Sequence, residues 1–358
     1  MGRIAARFAR VEPRLRARDF VRGLLADLPR KNCWTIAEWA GEASPDGMQH
    51  LLGRAKWDAD AVRDDVREYV VEHLHDPDGV LVVDETGDVK KGTHTVGVQR
   101  QYTGTAGRIE NSQVAVYMTP GTARTGWRGD EVYGGNPKLR SALKERGVAY
   151  VLAVACSHEV TTAAGKFRAD ALAAKVPKRA WQKLSAGAGA KGHRFYDWAV
   201  INLAEPRPGS HQLLIRRNRT TGELAYYRCW SPAPAPLTTL VRVAGSRWRV
   251  EETFQTGKGL AGLDEHQVRR FTSWSRWVTL TMLAHAFLAV VRADEHARHP
   301  APDELIPLTC NEIQRLFTTL IVRPVHDAAH RLRWSAWRRR HQARAQASHY
   351  RRQAANQT

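Results

Sequence analysis

Cysteine is scarce in this chain of 358 residues, and its four copies lie far apart. Cys33, Cys156, Cys229 and Cys310 form no Cys-x-x-Cys pair, and His158 is the only histidine near one of them. Structural zinc sites draw on closely spaced cysteine and histidine, and disulfide frameworks on cysteine-rich secreted domains. We therefore expect buried, reduced thiols, with neither a structural zinc ion nor a disulfide framework.

Long apolar runs are also missing. No stretch approaches the roughly 20 apolar residues that a membrane span needs, and the amino-terminal segment with Arg3, Arg7, Arg10 and Arg14 lacks the apolar core of a signal peptide. We expect a cytoplasmic, nucleoid-associated protein without a membrane partner.

Acidic residues are few relative to basic ones. Fifty-five lysines and arginines face 36 aspartates and glutamates, a formal charge of +19 that favours a polyanionic partner. From Ala328 to Thr358 there is no acidic residue and there are eight arginines, among them Arg338, Arg339 and Arg340. A solvated tail is the alternative, but interleaved aromatic residues favour nucleic-acid contact.

The first half of the sequence predicts helices followed by strands. Apolar spacing predicts helices over Val11–Tyr69, and the turn signal Asp76–Gly79 precedes the buried strand Val80–Val83. Asp84 should therefore lie where that strand ends. Thr95–Tyr102 and Gln113–Thr119 should complete a three-stranded meander.

The second half of the sequence alternates between helical and strand patterns. A helix over Pro137–Arg146 and a buried strand over Tyr150–Ala155 precede further strands from Arg194 to Arg228. Leu237–Gly259 predicts a helix broken near Gly245, with Ser246 as the N-cap of its second part. A strongly apolar helix, Trp277–Val291, belongs in the core, and its His285 is expected to be buried and hydrogen-bonded.

Three acidic residues stand in settings that suit metal ions. Asp84 follows an apolar run, Asp130 lies in Gly129–Gly134, and Glu251 shares a narrow sector of one helix face with Arg247 and Lys258. Phosphodiester transfer needs metal ions that clamp the entering and leaving oxygens, and Mg²⁺ prefers oxygen ligands. Each acid also has an ordinary structural explanation, so it is their combination with basic neighbours that favours a site.

The residues around these acids resemble those of bacterial insertion-sequence DDE transposases. The segments that carry the resemblance are Val82–Gly92, Gly129–Gly135 and Ser246–Phe254, with Lys258 and Gly262–Asp264. The resemblance implies that Asp84, Asp130 and Glu251 hold two Mg²⁺ (or Mn²⁺) ions. It also implies that Arg247 and Lys258 are the basic members of a Tyr-Arg-Glu-Lys signature.

Two features depart from that family pattern. The signature tyrosine would fall at position 244, which is Ala244 here, and only 46 positions separate Asp84 from Asp130. Since Pro120–Gly129 contains no apolar run, we expect Asp130 to lack a supporting strand. The hypothesis is an internally shortened transposase with impaired activity.

The expected fold is α/β, an RNase H-like mixed sheet with flanking helices, a β-rich insertion and helical ends. The expected divisions are a helical DNA-binding domain at 1–78, core segments at 79–159 and 237–297, the insertion at 160–236, and a basic helical region at 298–358.

The expected activity is metal-dependent cleavage at transposon ends followed by strand transfer into target DNA. DNA is the expected partner, in the form of terminal inverted repeats and target, and a homodimer or higher oligomer should assemble on it. Besides the carboxylates, the DNA-binding residues would be Arg247, Lys258, Lys90, Lys91, Arg338, Arg339 and Arg340. A catalytically inactive DNA-binding remnant and an RNase H-like nuclease remain as alternatives.

Overall fold

A computed structural model gives the fold of the chain. It describes residues 1–75, 80–120, 127–189, 192–300, 302, 305–321 and 327–355, without the side chains of Thr119, Pro120, Arg247, Arg249, Gln353 and Ala354. The turn expected at Asp76–Gly79 lies outside these residues. The α-helices are α1 (Val11–Leu25), α2 (Cys33–Trp39), α3 (Asp46–Gly53), α4 (Ala59–Leu74), α5 (Glu131–Gly134), α6 (Pro137–Glu145), α7 (Ala169–Ala174), α8 (Leu237–Gly245), α9 (Arg247–Ala261), α10 (Phe271–Arg298), α11 (Cys310–Leu320) and α12 (Ala328–Ala355).

The strands form one large mixed sheet and one small hairpin. They are β1 (Leu81–Val89), β2 (Gln99–Thr103), β3 (Arg108–Pro120), β4 (Trp127–Gly129), β5 (Tyr150–Val154), β6 (Glu159–Thr162), β7 (Gly165–Arg168), β8 (Gln182–Gly189), β9 (Gly192–Asn202), β10 (Ser210–Arg217) and β11 (Leu224–Ser231). The large sheet has the order β2-β3-β1-β4-β5-β11-β10-β9-β8, and β6 pairs with β7. At its centre β1, β4 and β5 run parallel, whereas the flanking pairs are antiparallel. This mixed α/β architecture with flanking helices confirms the expected fold class and is consistent with an RNase H-like core.

The expected meander is wrong in its strand order. The third strand, β3, lies between β1 and β2, so consecutive strands are not neighbours throughout. The physical reason is the length of β3, because its residues 112–120 pair with β1 and its residues 108–112 pair with β2.

The strand-rich segment after β5 does not build a separate sheet, apart from the short β6–β7 pair. Its last strand, β11, pairs antiparallel with β5, so that β8 to β11 extend the core sheet. The predicted hairpin is present as β10 and β11, with Leu214 opposite Tyr227.

Helices cover both faces of the sheet. On one face Val82, Val151 and Val250 share an apolar cluster with residues of α8. On the other face Leu143 of α6 packs against Tyr150, and α7 packs farther along the strands. The side chain of Asn136 accepts hydrogen bonds from the first turn of α6. Pro137 begins that turn and has no amide hydrogen that would need an acceptor.

The amino- and carboxyl-terminal helices share one apolar core. Phe20 of α1 packs edge-on against Trp277 of α10 with ring centroids 5.4 Å apart, and both are buried. The guanidinium of Arg276 donates to the carbonyls of Leu51 and Trp57. Helices α1 to α4 are therefore held by α10.

Helix α10 is the expected core helix. By length and composition alone it is the one helix in the described part of the chain that passes the test for a membrane span, and 56% of its most apolar window is buried inside the protein. Burial lowers the pKa of its His285 to about 4, which favours the neutral ring.

Two local expectations need correction. Ser246 precedes α9, but its hydroxyl donates to the carbonyl of Val243 at 2.7 Å and caps no amide of α9, because the preceding helix offers a closer acceptor. The cysteines are free, as expected, yet Cys156 is exposed because it lies in the loop after β5. Burial raises the pKa of Cys229 to about 12.

Candidate active site

One candidate aspartate, Asp84, lies in β1, and the other, Asp130, directly follows the neighbouring parallel strand β4. Leu81 pairs with Trp127 and Val82 with Arg128, an offset of 46 residues. Asp84 and Asp130 differ by the same 46 positions. Adjacent strands lie about 4.8 Å apart, so continuing this register two residues past Val82 and Arg128 would bring Asp130 next to Asp84.

Asp84 is buried within its strand and not at the strand end as expected. Strand β1 continues to Val89 because Glu85 to Val89 pair with β3, opposite Val116 to Ser112. The Asp84 side chain is 5% exposed, and its Oδ1 accepts the amide hydrogen of Glu85 at 3.0 Å.

Asp130 does have a supporting strand, which corrects the expectation drawn from its surroundings. Strand β4 consists of only Trp127, Arg128 and Gly129, and it pairs with both β1 and β5. Its neighbours on both sides hold it in place, so it needs no apolar run of its own. Asp130 then begins α5, with Oδ1 accepting the amide hydrogen of Val132 at 3.0 Å.

Two titratable groups near the aspartates have raised pKa values. The pKa of Glu85 is raised, first by partial burial and then by the negative charges of Asp130 and Asp84. The pKa of Tyr133 is raised to about 12 by burial and by the same three carboxylates. Glu85 directly follows Asp84 in the sequence, and that spacing gives no reason to count it among the site residues.

Glu251 approaches from the helix that covers this face of the sheet. Val250 packs in the same apolar cluster as Val82, and the ring of Phe254 lies 5.6 Å from that of Tyr117. Tyr117 is the register partner of Asp84. Helix α9 therefore lies over the part of β1 that carries Asp84, with Glu251 half-buried near its beginning.

The predicted lysines hold backbone elements together. Lys258 Nζ lies 2.7 Å from Asp88 Oδ1 and donates to the carbonyl of Gly87 at 3.0 Å, joining α9 to β1. Lys90 Nζ donates to the carbonyl of Asp264 at 2.5 Å. Lys91, by contrast, is exposed just after β1.

Arg247 is the first residue of α9, but its side chain lies outside the described residues. The neighbouring position 244 holds Ala244, which is 5% exposed in the cluster between α8 and the sheet. A tyrosine side chain there would have to displace this packing.

The arginines of α12 divide into anchored and exposed residues. Arg338 pairs with Glu38, and Trp334 of the same helix is buried with Nε1 donating to the carbonyl of Glu42 at 2.8 Å. Arg339 and Arg340 are exposed, as are the arginines of the last three turns. One face of α12 thus packs on the amino-terminal helices while the other presents positive charge to solvent.

The donor chemistry of the aspartates fits a divalent cation. Carboxylate oxygens are preferred by hard ions such as Mg²⁺. A cation held by Asp84 and Asp130 would offset the negative charge that, after burial, raises the pKa of Glu85. Over the described ranges, however, no three acidic, histidine or cysteine side chains come close enough to share one ion. The structure brings the two aspartates together and leaves Glu251 on the facing helix.

Two family models match successive parts of the chain. A family model described as DDE superfamily endonuclease matches residues 4–125, and one described as transposase DDE domain matches residues 125–287. The chain belongs to the DDE transposases. The two matches together include both aspartates and Glu251, and they meet at residue 125, inside the short interval between the aspartates.

A curated relative supports the same membership. The probable transposase for insertion sequence element IS701 from Microchaete diplosiphon is 38% identical over 94 residues. These make up 26% of this chain and 25% of the relative, so the match spans about a quarter of the relative's length. As a DDE transposase, the chain belongs to a family that depends on divalent metal ions.

Proposed function

We propose that the chain cleaves DNA at the ends of its insertion sequence and transfers the freed 3′-hydroxyl ends into target DNA. The observation that supports this proposal is the register of β1 and β4, whose offset of 46 residues equals the spacing between Asp84 and Asp130. Two carboxylates carried by neighbouring segments of a parallel core suit the binding of metal ions.

Asp84 and Asp130 would hold divalent cations, two Mg²⁺ (or Mn²⁺) ions in our proposal, with Glu251 as the third carboxylate. When bound, the ions supply a clamp on the entering and leaving oxygens of the phosphodiester. The chain's own residues position that clamp, since the strand register fixes the aspartates and α9 carries Glu251. Completing the site requires Glu251 to approach the aspartates.

DNA binding is assigned to the basic residues around α9 and on α12. Lys258 holds the end of β1 against α9, and Lys90 holds it against the loop after α9. Arg247 and Lys91 are included in the proposed DNA-binding set from the sequence. The exposed arginines of α12 would contact backbone phosphates without choosing a sequence. Arg338, paired with Glu38, would serve mainly to hold α12 in place.

Regions 1–78 and 298–358 would provide further DNA contacts around the catalytic segments 79–159 and 237–297, and region 160–236 would help to organise the transposon ends. Assembly of a homodimer or higher oligomer on two transposon ends is part of the proposal, because strand transfer joins both ends to one target.

The test is cleavage of duplex DNA that carries the terminal inverted repeats of the element encoding this chain. The full chain is incubated with Mg²⁺, Mn²⁺ or a chelator, and nicked and joined products are separated on gels. We expect metal-dependent products that Glu251→Gln abolishes. Glu252→Gln is the matched control, since Glu252 is the next residue of α9 and is exposed.

Equal cleavage by Glu251→Gln and the native chain would contradict the proposal, as would cleavage that the chelator leaves unchanged. Absence of cleavage by the native chain together with retained DNA binding would instead identify an inactive remnant, the outcome expected if the short interval before Asp130 impairs the site.

A further inference from the structure

A second charged site lies on the face of the sheet that α9 does not cover. We call Arg140, Lys144 and Arg228 the basic cluster. Arg140 and Lys144 belong to α6, and Arg228 belongs to β11, where it pairs with Leu152 of β5. Because Leu152 packs against α6, the register directs Arg228 toward the same helix.

The basic cluster contains more positive charge than its neighbours neutralise. Lys144 Nζ lies 2.7 Å from a carboxylate oxygen of Glu205, and Arg228 pairs with the same carboxylate. Arg140 donates to the carbonyl of Gly134 and makes no ion pair with any described residue. Two of the three cations thus share one carboxylate and the third has no described ion pair, although Lys144 and Arg228 are at most 10% exposed in their side chains.

Polar atoms without partners surround this excess charge. Tyr150 is 1% exposed, and within the described structure neither its hydroxyl nor Arg228 Nε has a hydrogen-bond partner. Nε2 of His158 also has no hydrogen-bond partner within the described structure. Burial, with Arg228 and Arg140 nearby, lowers the pKa of His158 to about 4, so its ring is neutral at physiological pH.

Such a combination is costly unless a ligand completes it. Buried polar groups are nearly always hydrogen-bonded, and buried cations are nearly always paired. A tetrahedral oxyanion would supply acceptors to both kinds of group at once, because guanidinium and phenol groups donate to phosphate oxygens.

We propose that the basic cluster, together with Tyr150 and His158, is a phosphate-binding site separate from the carboxylate site. The phosphate group would receive hydrogen bonds from Tyr150 and Arg228 and neutralise Arg140. The group belongs either to free phosphate or to the backbone of bound DNA, which share the same chemistry.

The first experiment titrates the full chain with inorganic phosphate, against sodium chloride at equal ionic strength, by calorimetry and by thermal unfolding. We expect saturable binding and a rise in Tm that chloride does not reproduce. Tyr150→Phe, which removes a single oxygen, should weaken phosphate binding about tenfold, in line with the loss of one charge-assisted hydrogen bond. Tyr227→Phe on the opposite face of the sheet is the matched control.

Arg140→Gln provides a second variant, because Arg140 is only half-buried and its loss relieves repulsion within the cluster. It should also weaken phosphate binding while leaving the fold intact by circular dichroism. The proposal is overturned if phosphate stabilises the chain no more than chloride does, or if both variants bind phosphate as tightly as the native chain.

A second measurement identifies the source of the phosphate. A short duplex of arbitrary sequence is titrated into the native chain and into Tyr150→Phe. Weaker duplex binding by the variant would assign the site to the DNA backbone. Equal duplex binding combined with weakened phosphate binding would assign it to free phosphate, and either result supports the site.

Discussion

The two faces of the central sheet carry sites of opposite charge. Asp84 lies on the α9 side, because it shares its face of β1 with Val82, whereas Arg140 and Arg228 lie on the α6 side. The acids are placed by backbone register and the bases by helix packing. A cation would be attracted to the aspartates and an anion to the basic cluster, so the two faces suit ligands of opposite sign.

The pKa values of two titratable groups, one near each site, are shifted in opposite directions. The pKa of Glu85 is raised among the carboxylates, which favours its neutral form, and the pKa of His158 is lowered to about 4 among the cations, which favours its neutral form too. The comparison teaches that burial and neighbouring charge favour the neutral form of a titratable group beside each site.

The largest effect is expected from breaking the acidic side. Asp130→Asn should lower DNA cleavage by about a thousandfold, because it removes a proposed ligand of ions that stabilise the transition state. Gel assays of strand cleavage measure the effect. Glu131→Gln, one residue farther and exposed, should cleave at the native rate. Native cleavage by Asp130→Asn would remove this carboxylate from the site.

The next effect concerns the helix that faces the acids. Lys258→Met should lower the free energy of unfolding by about 3 kcal/mol, because it leaves the largely buried Asp88 carboxylate without its cation. Urea denaturation gives the value. Lys91→Met, at an exposed position after β1, should change it by less than about 0.5 kcal/mol. Similar values for both variants would show that the pair does not fasten α9.

A smaller effect is expected from pH on the basic side. His158 has a folded pKa of about 4 against roughly 6.5 when unfolded, so the unfolded chain binds the extra proton first. Stability should fall as pH drops from about 6.5 to about 4. After discounting for solvent screening, His158→Gln should remove about 1 kcal/mol of that loss. The exposed His50→Gln serves as control in thermal unfolding at each pH, and an unchanged slope in His158→Gln would contradict the assignment.

The smallest expected effect is the contribution of Glu85 to the pH dependence of stability, and its sign is opposite to that of His158. Because the folded pKa of Glu85 is raised, its contribution to stability is fully present below its unfolded pKa and is lost as pH rises through the folded value. The native chain should therefore gain stability relative to Glu85→Gln when it is acidified below about pH 5. A difference in Tm between the two proteins that stays the same at every pH would refute this prediction.

The sequence predicted the elements better than their arrangement. Apolar periodicity located α10 and the hairpin of β10 and β11, because their patterns are long and regular. It missed β4, since a strand of three residues with a buried arginine at its centre has no pattern to detect. It also misjudged the order of β1 to β3, because pairing over a distance leaves no local trace.

For the candidate site too, the sequence identified residues but not how they are arranged. Asp84, Asp130 and Glu251 were chosen from their local context, but the offset of 46 residues that equals the spacing of the aspartates appears only in the strand register. The bond between Lys258 and Asp88 spans 170 positions and could not be read from spacing. The excess of cations around Arg228 likewise arises from three distant segments.

Helix α9 is fastened mainly at its far end. The carbonyl of Leu260 accepts hydrogen bonds from Lys31 at 2.5 Å and from Gln314 at 2.7 Å, and these donors come from the two ends of the chain. Glu251 lies about 13 Å from that point along the helix. A tilt of α9 by about 10° around the Leu260 carbonyl would move the Glu251 carboxylate by roughly 2 Å. Contacts from the terminal regions can therefore change the position of the third acid.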